Sequence, residues 1–304
     1  MSRRLRLAAA AVGVAALAAL GGCSATSDDG RASVVVTTNV LGDVVTNLVG
    51  DQAEVTVLMP PNADPHSFGV SAQDALKMQK ADLLVYNGLG LEEGLLSHVR
   101  SAADAGTPTF VAGDHVELLE YAGGEASGPD PHFWTDPTQM VAVVEALTED
   151  LAKIEGIDAA KLRDDAAAYT ALLEEADARA RAAFEAIPAQ QRALVTNHHV
   201  FGYLARRYDF RVIGAVIPGG ATLAAPSAAD LADLADAVKE AGVGAIFADV
   251  SSPDKLINTL AEHTGMDIEV VPLFTESLSE PGGEAPTYLE MLRVNTERIA
   301  RALG

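Results

Sequence analysis

The sequence predicts an α/β protein with two parallel-sheet lobes joined by one long rigid helix. Three observations predict it. Short β-branched runs alternate with helical stretches in the first half, and the same alternation restarts in the second. Between the halves, 157–187 contains neither Gly nor Pro, is rich in Ala, Glu, Arg and Leu, and stops at Pro188.

Taken in order, Val34-Val35-Val36-Thr37-Thr38 reads as the first strand. Leu41, Val44, Val45 and Leu48 recur at helical spacing, with Gly50 as C-cap. Glu54–Met59 is a second strand, ended by Pro60-Pro61. Gln73–Lys80 reads as helix, Leu83–Tyr86 as strand, Gly90–Ala105 as helix, Thr109–Val111 as strand and Thr138–Ile154 as a long apolar helix. Asp158 can cap the next helix, whose apolar positions are Leu162, Ala166, Tyr169, Leu172, Leu173 and Ala176. About 30 helical residues span about 45 Å, the length of a whole domain. Beyond it, strands at 193–196, 211–217, 245–248 and 268–271 alternate with helices at 201–208, 228–241, 253–264 and 288–303. The expected division is therefore an N-terminal lobe at 33–156, a connecting helix at 157–188 and a C-terminal lobe at 189–304. Ligands of open parallel sheets bind beyond the carboxyl ends of the strands, which places the site in the inter-lobe cleft.

Composition narrows what such a site can hold. A formal charge of −22 over 304 residues excludes nucleic acid as partner, because phosphate binding needs a basic footprint. The single cysteine excludes an internal disulfide, a Cys-rich zinc site and an iron–sulfur cluster. Residues 1–22 carry Arg3, Arg4 and Arg6, then an apolar run from Leu7 to Leu20 and no acid, which is the pattern of an export signal. The run ends Leu20-Gly21-Gly22-Cys23, which resembles a lipobox, so Cys23 is expected to be lipidated and to anchor the chain to a membrane. Residues 23–32 then form a small polar tether. Arg3-Arg4 hints at twin-arginine export, but its flanks fit the general route better.

Any metal site must therefore use His and carboxylates. Of seven histidines, His98 and His263 lie within predicted helices, and His115 has no evident partner. The other four fall in loops at one predicted edge. His66 lies in Asp64-Pro65-His66, His132 in Asp130-Pro131-His132, and His198-His199 directly follow a strand. Proline fixes φ near about −65° and stiffens the backbone that presents the imidazole. The Asp of each tripeptide could take the second ring N–H and set the tautomer. Glu276, after the last strand, would complete a tetrahedral set, with Asp249 and Glu280 as rivals for the carboxylate. Three His and one carboxylate suit Zn²⁺, whereas Mn²⁺ is expected to prefer more oxygen.

These segments resemble the metal-ion solute-binding proteins of ABC importers, the zinc/manganese group known as cluster A-I, and its zinc-binding members in particular. The resemblance spans the mature chain. It rests on Pro65-His66-Ser67-Phe68, Asn87-Gly88-Leu89-Gly90-Leu91-Glu92, Asp130-Pro131-His132-Phe133-Trp134-Thr135-Asp136-Pro137, His198 with Phe201-Gly202-Tyr203, and Leu273-Phe274-Thr275 leading into Tyr288 and Asn295. It implies two α/β lobes on a rigid helix with the metal between them, held by His66, His132 and His198. His198 is preferred to His199 because the family's His stands three residues before the Phe of Phe-Gly-Tyr. Manganese-specific relatives tend to carry a carboxylate there. Two departures stand out: Glu276 occupies a position commonly Asp, and the His-rich loop of some zinc relatives is reduced to Gly123–Gly128, without histidine.

The function expected is capture of Zn²⁺ outside the cytoplasm by a lipid-anchored, monomeric, non-enzymatic protein, and delivery to a cognate ABC permease. A zinc metallochaperone is a candidate donor. Because the imidazoles must be neutral to ligate, affinity is expected to fall steeply below about pH 6. The alternatives are a manganese-binding homologue, a zinc hydrolase with three His ligands and an open position, and an adhesin that only keeps the fold. Gly88-x-Gly90 lacks the third glycine of a dinucleotide fingerprint.

Overall fold

A computed structural model describes residues 30–121, 127–217, 222, 226–251 and 255–304. The export signal, Cys23 and most of the tether lie outside the described residues, as does most of the Gly123–Gly128 loop.

The first sheet contains β1 (Ala32–Val36), β2 (Ala53–Val57), β3 (Leu83–Tyr86) and β4 (Thr109–Val111), all parallel, in the order β2-β1-β3-β4. β1 is central, and Val34, Val35 and Val36 are all buried, as a parallel strand covered on both faces requires. The second sheet repeats the pattern, with order β6-β5-β7-β8 from β5 (Ala193–Thr196), β6 (Arg211–Ala215), β7 (Ala245–Asp249) and β8 (Glu269–Leu273).

Helices cover both faces of each sheet. In the first lobe α1 (Asn39–Val49) starts at a Thr38 cap and ends at Gly50, whose φ of 55° favours glycine. α2 (Ala72–Lys80) and α3 (Leu96–Asp104) pack Met78, Val99 and Ala102 against Val35 and Leu84 on one face. α4 (Pro137–Leu151) lies with α1 on the other. The second lobe is covered by α6 (Gly202–Tyr208), α7 (Ala228–Ala241) and α8 (Lys255–Thr264).

The connecting helix is α5 (Ala159–Glu185), 27 residues and roughly 40 Å long, capped by Asp158. Leu162, Ala166, Tyr169 and Leu173 belong to the first lobe's core, whereas Ala180 and Phe184 belong to the second's. Its rigidity thus comes from being buried at both ends. The last helix, α9 (Tyr288–Leu303), does the same: Tyr288, Met291 and Val294 join the first core, Ile299 and Leu303 the second. One helix connects the lobes covalently, and a second braces them.

Some boundaries differ from expectation. The helix expected from Gly90 begins only at Leu96, because Gly88, Leu89 and Gly90 all take positive φ. That turn is pinned by the buried Glu92 carboxylate, which accepts from the N–H groups of Asn87 and Gly88 and from the Thr37 hydroxyl. The strand expected at 211–217 ends at Ala215.

Phe184 meets Tyr208 and Phe210 edge-on, each at 5.1 Å between ring centroids, and is fully buried. Phe184→Ala should cost about 3–5 kcal/mol, read as a lowered urea midpoint. A change within experimental error would show that α5 is not anchored in the second core.

Candidate metal centre

His66, His132, His198 and Glu276 converge: one ligand atom from each lies within 4.8 Å of all the others. All four are buried, none more than 2% exposed. His66 follows β2, His132 precedes the short 3₁₀ turn Phe133–Thr135, His198 follows β5 and Glu276 follows β8. Each comes from the carboxyl edge of its sheet or from the loop facing it. Two histidines therefore come from the first lobe and one from the second, and Glu276 lies on a loop held by both.

The atoms that face one another are Nε2 of each ring and the Glu276 carboxylate. His132 Nε2 is 3.3 Å from His66 Nε2 and 3.5 Å from Glu276 Oε1. His198 Nε2 is 3.0 Å from Glu276 Oε1, and His66 Nε2 is 3.7 Å from Oε2. Tetrahedral donors about 2.05 Å from an ion lie ~3.3 Å apart, so this spacing fits a single first-row cation. Rings this close and this buried disfavour one another's protonation.

Electrostatics favour that state. Burial pulls His132 down to about 3 and His66 to about 4, in both cases against the neighbouring Glu276 carboxylate, which pulls the other way. Burial also lowers His198. The same desolvation raises Glu276 to about 7 and Asp130 to about 7. Imidazoles ready to donate lone pairs surround a carboxyl group that only a cation would make comfortable as an anion.

Asp130 does for His132 what was expected: Oδ1 lies 2.7 Å from His132 Nδ1, which leaves Nε2 free to face the site. The same oxygen accepts the His132 backbone N–H at 3.0 Å. The second Asp-Pro-His behaves differently. Asp64 accepts the His66 backbone N–H at 2.8 Å and the hydroxyls of Ser67 and Thr222, and His66 Nδ1 has no hydrogen-bond partner among the described residues. His198 Nδ1 and Glu276 Oε2 also lack one. Gly202 permits the Asp130 arrangement, since a Cβ there would collide with Asp130 Oδ2.

Both rival carboxylates stand apart. Asp249 is spent on hydrogen bonds to the backbone and hydroxyl of the 275–276 turn, and Glu280 is exposed. His199 is half-buried beside Tyr121, with ring centroids 6.2 Å apart. His115 stacks on Phe110, and His263 binds the Thr259 carbonyl. None of these joins the cluster. Sequence reasoning missed Asn39, whose side chain holds Ser277 and Leu278 from the first lobe, and it gave Trp134 no role, although its indole donates to the Thr275 carbonyl. Asn39 lies just beyond the β1 carboxyl edge, the only hint the sequence offered.

Two parallel-sheet lobes with three imidazoles and a carboxylate buried between them define a metal-binding, substrate-binding protein. Residues 34–302 match the family described as zinc-uptake complex component A, periplasmic (ZnuA), and the chain belongs to that family. It is 30% identical over 280 residues to the zinc-binding protein TroA of Treponema pallidum, covering 91% of this chain and 90% of that protein. The solved structure of TroA superposes with a TM-score of 0.83 at 29% identity, covering 90% of this chain and 99% of that one. The manganese ABC transporter substrate-binding lipoprotein PsaA of Streptococcus pneumoniae is 28% identical over 294 residues, 95% of this chain and 94% of its own length. An iron-binding protein of Yersinia pestis, YfeA, is 29% identical over 280 residues, 91% and 88% respectively. The relatives' names thus divide among metals within one fold.

In an NMR titration of the metal-free protein, His66 and His132 should remain neutral at pH 5, where an unperturbed imidazole (pKa about 6.5) is nearly all protonated. Midpoints near 6.5 would mean that the cluster is not desolvated in solution.

Proposed function

We propose that this chain is an extracytoplasmic lipoprotein that captures one Zn²⁺ through His66, His132, His198 and Glu276 and delivers it to a cognate ABC permease. The observation that carries this reading is the buried set of three Nε2 atoms and one carboxylate, spaced as the donors of a single ion would be. Nitrogen supplies three of the four donors, which favours zinc over the harder Mn²⁺. Membership of a family described by zinc uptake supports the same choice. No bond is made or broken in this function. The lobes are 33–156 and 189–304, with 157–188 between them, and Cys23 carries the anchor beyond the tether 23–32. No observation favours a hydrolase.

The manganese-named relatives favour a second reading, in which Mn²⁺ is the physiological cargo. Affinity alone separates the two poorly, because nearly every N/O site binds Zn²⁺ more tightly than Mn²⁺. Metal content does separate them. Protein isolated from its own host, grown with both metals, should carry zinc at one ion per chain, and manganese there would overturn the zinc reading. His66→Ala with His132→Ala should abolish stoichiometric binding in calorimetry, and unchanged affinity would remove these residues from the site.

The pH dependence differs from what the imidazoles alone predict. With His66 near 4 and His132 near 3, those rings are already neutral at pH 5 and compete little with the ion. Glu276, raised to about 7, must lose its proton to ligate. As pH falls through 7 the carboxyl group takes up a proton, so affinity should fall by about tenfold per pH unit, and more steeply below about pH 4 when the histidines join. Zinc affinity measured from pH 8 to 5 checks this. A flat profile down to pH 6 would show that burial does not raise the Glu276 carboxyl in solution, and the same profile for Glu276→Gln would show that Glu276 is not a ligand.

A further inference from the structure

Three of the four clustered residues share a local device. The backbone N–H of His66 is accepted by Asp64, that of His132 by Asp130, and that of Glu276 by Asp249. In the first two cases the carboxylate stands two residues before the histidine, within its own loop. In the third it comes from another strand, 27 residues away. Asp249 closes β7 opposite Leu273, the last residue of β8, so its side chain reaches the turn into which β8 leads.

There it is fully engaged. Oδ2 accepts the backbone N–H of Thr275 at 3.0 Å, that of Glu276 at 3.2 Å, and the Thr275 hydroxyl. Oδ1 accepts the backbone N–H of Ser251 at 2.7 Å and the Ser251 hydroxyl. Asp249 is itself 3% exposed. The turn has a second set of holds from the first lobe: Trp134 Nε1 to the Thr275 carbonyl, and Asn39 to Ser277 and to the Leu278 N–H. Between these holds Glu276 has little freedom, although its side chain is a methylene longer than aspartate.

We propose that Asp249 is a positioning residue of the metal centre. It fixes the backbone at 275–276 so that the longer Glu276 side chain arrives beside His198 and His132, and it makes the fourth donor's placement depend on the second sheet. This rests on the reading of Glu276 as a ligand. The charge of Asp249 is not the point: an isosteric amide keeps one acceptor oxygen but sets an NH₂ group against backbone donors, which disturbs the turn.

A double-mutant cycle tests it, with zinc affinity measured by competition against a chromogenic chelator and with the melting temperature of each metal-free variant as the control for folding. Asp249→Asn should weaken zinc binding by about tenfold to a hundredfold in the wild-type background. In the Glu276→Gln background it should cost less than about twofold, because a turn that no longer presents a ligand has nothing left to position. Equal losses in both backgrounds, or no loss in either, would overturn the proposal, since a general structural or charge effect does not depend on Glu276. Wild-type affinity for Glu276→Gln alone would overturn the ligand reading and this proposal with it. If Asp249→Asn does not fold, Thr275→Val removes only the hydroxyl donor to Asp249 and should show the same dependence on Glu276 with a smaller, several-fold loss. Its absence there would count equally against the idea.

Discussion

The structure is organised around a deficit. Three imidazoles and a carboxyl group are buried where His66 Nδ1, His198 Nδ1 and Glu276 Oε2 have no hydrogen-bond partner among the described residues. Burying unpaired polar atoms typically costs on the order of 1–3 kcal/mol each, so the metal-free closed state carries a penalty that packing elsewhere has to offset. A cation meets the electrostatic part of that deficit directly. It gives each Nε2 lone pair a partner and turns the Glu276 carboxylate from a desolvated burden into a compensating charge, while the Nδ1 atoms of His66 and His198 keep their own cost. The part of the penalty that comes from Glu276 is the part an ion relieves.

Holding such a cluster requires that its loops not relax away from one another. The two sheets provide the frame, since parallel strands deliver His66, His198 and Glu276 from their carboxyl ends. Carboxylates then stiffen three of the four loops by taking the backbone N–H groups of the clustered residues themselves. In the fourth, the Thr196 hydroxyl binds the His198 carbonyl at 2.5 Å. These acids add negative potential near the site, and the acidic chain adds more at long range. Net charge draws in any cation; the nitrogen-rich donor set has to do the choosing.

Much of this was legible in the sequence. Strand and helix positions followed from apolar periodicity, and the histidines stood out because Asp-Pro-His occurs twice in loops. What could not be read was the direction of side chains. Asp64 and Asp130 sit in identical tripeptides, yet only Asp130 reaches its histidine's ring, because Asp64 is drawn to Ser67 and to Thr222 of the other lobe. Asp249 looked like a rival ligand on residue type and edge position. The β7–β8 register turns it toward the 275–276 backbone instead, and register between strands 24 positions apart has no local signature in the sequence. Glu92 misled in a similar way: its buried carboxylate pins a turn where helical periodicity alone suggested a helix.

The bracing of the lobes has a consequence for how cargo is held and released. α5 and α9 each bury one end in either core, so the lobes cannot separate by a free hinge at a flexible linker. Opening has to be accommodated by local rearrangement at the cleft. There the Glu276 turn is held from both sides, tied to the second sheet by Asp249 and to the first lobe by Trp134 and Asn39. Any movement that parts His198 from His66 and His132 must either break one of these two sets of hydrogen bonds or separate Glu276 from His198. An ion held by all four residues, as proposed, would add its binding free energy to the closed arrangement. Release then requires a partner that favours the open form by a comparable amount, because a partner that binds both forms equally shifts nothing.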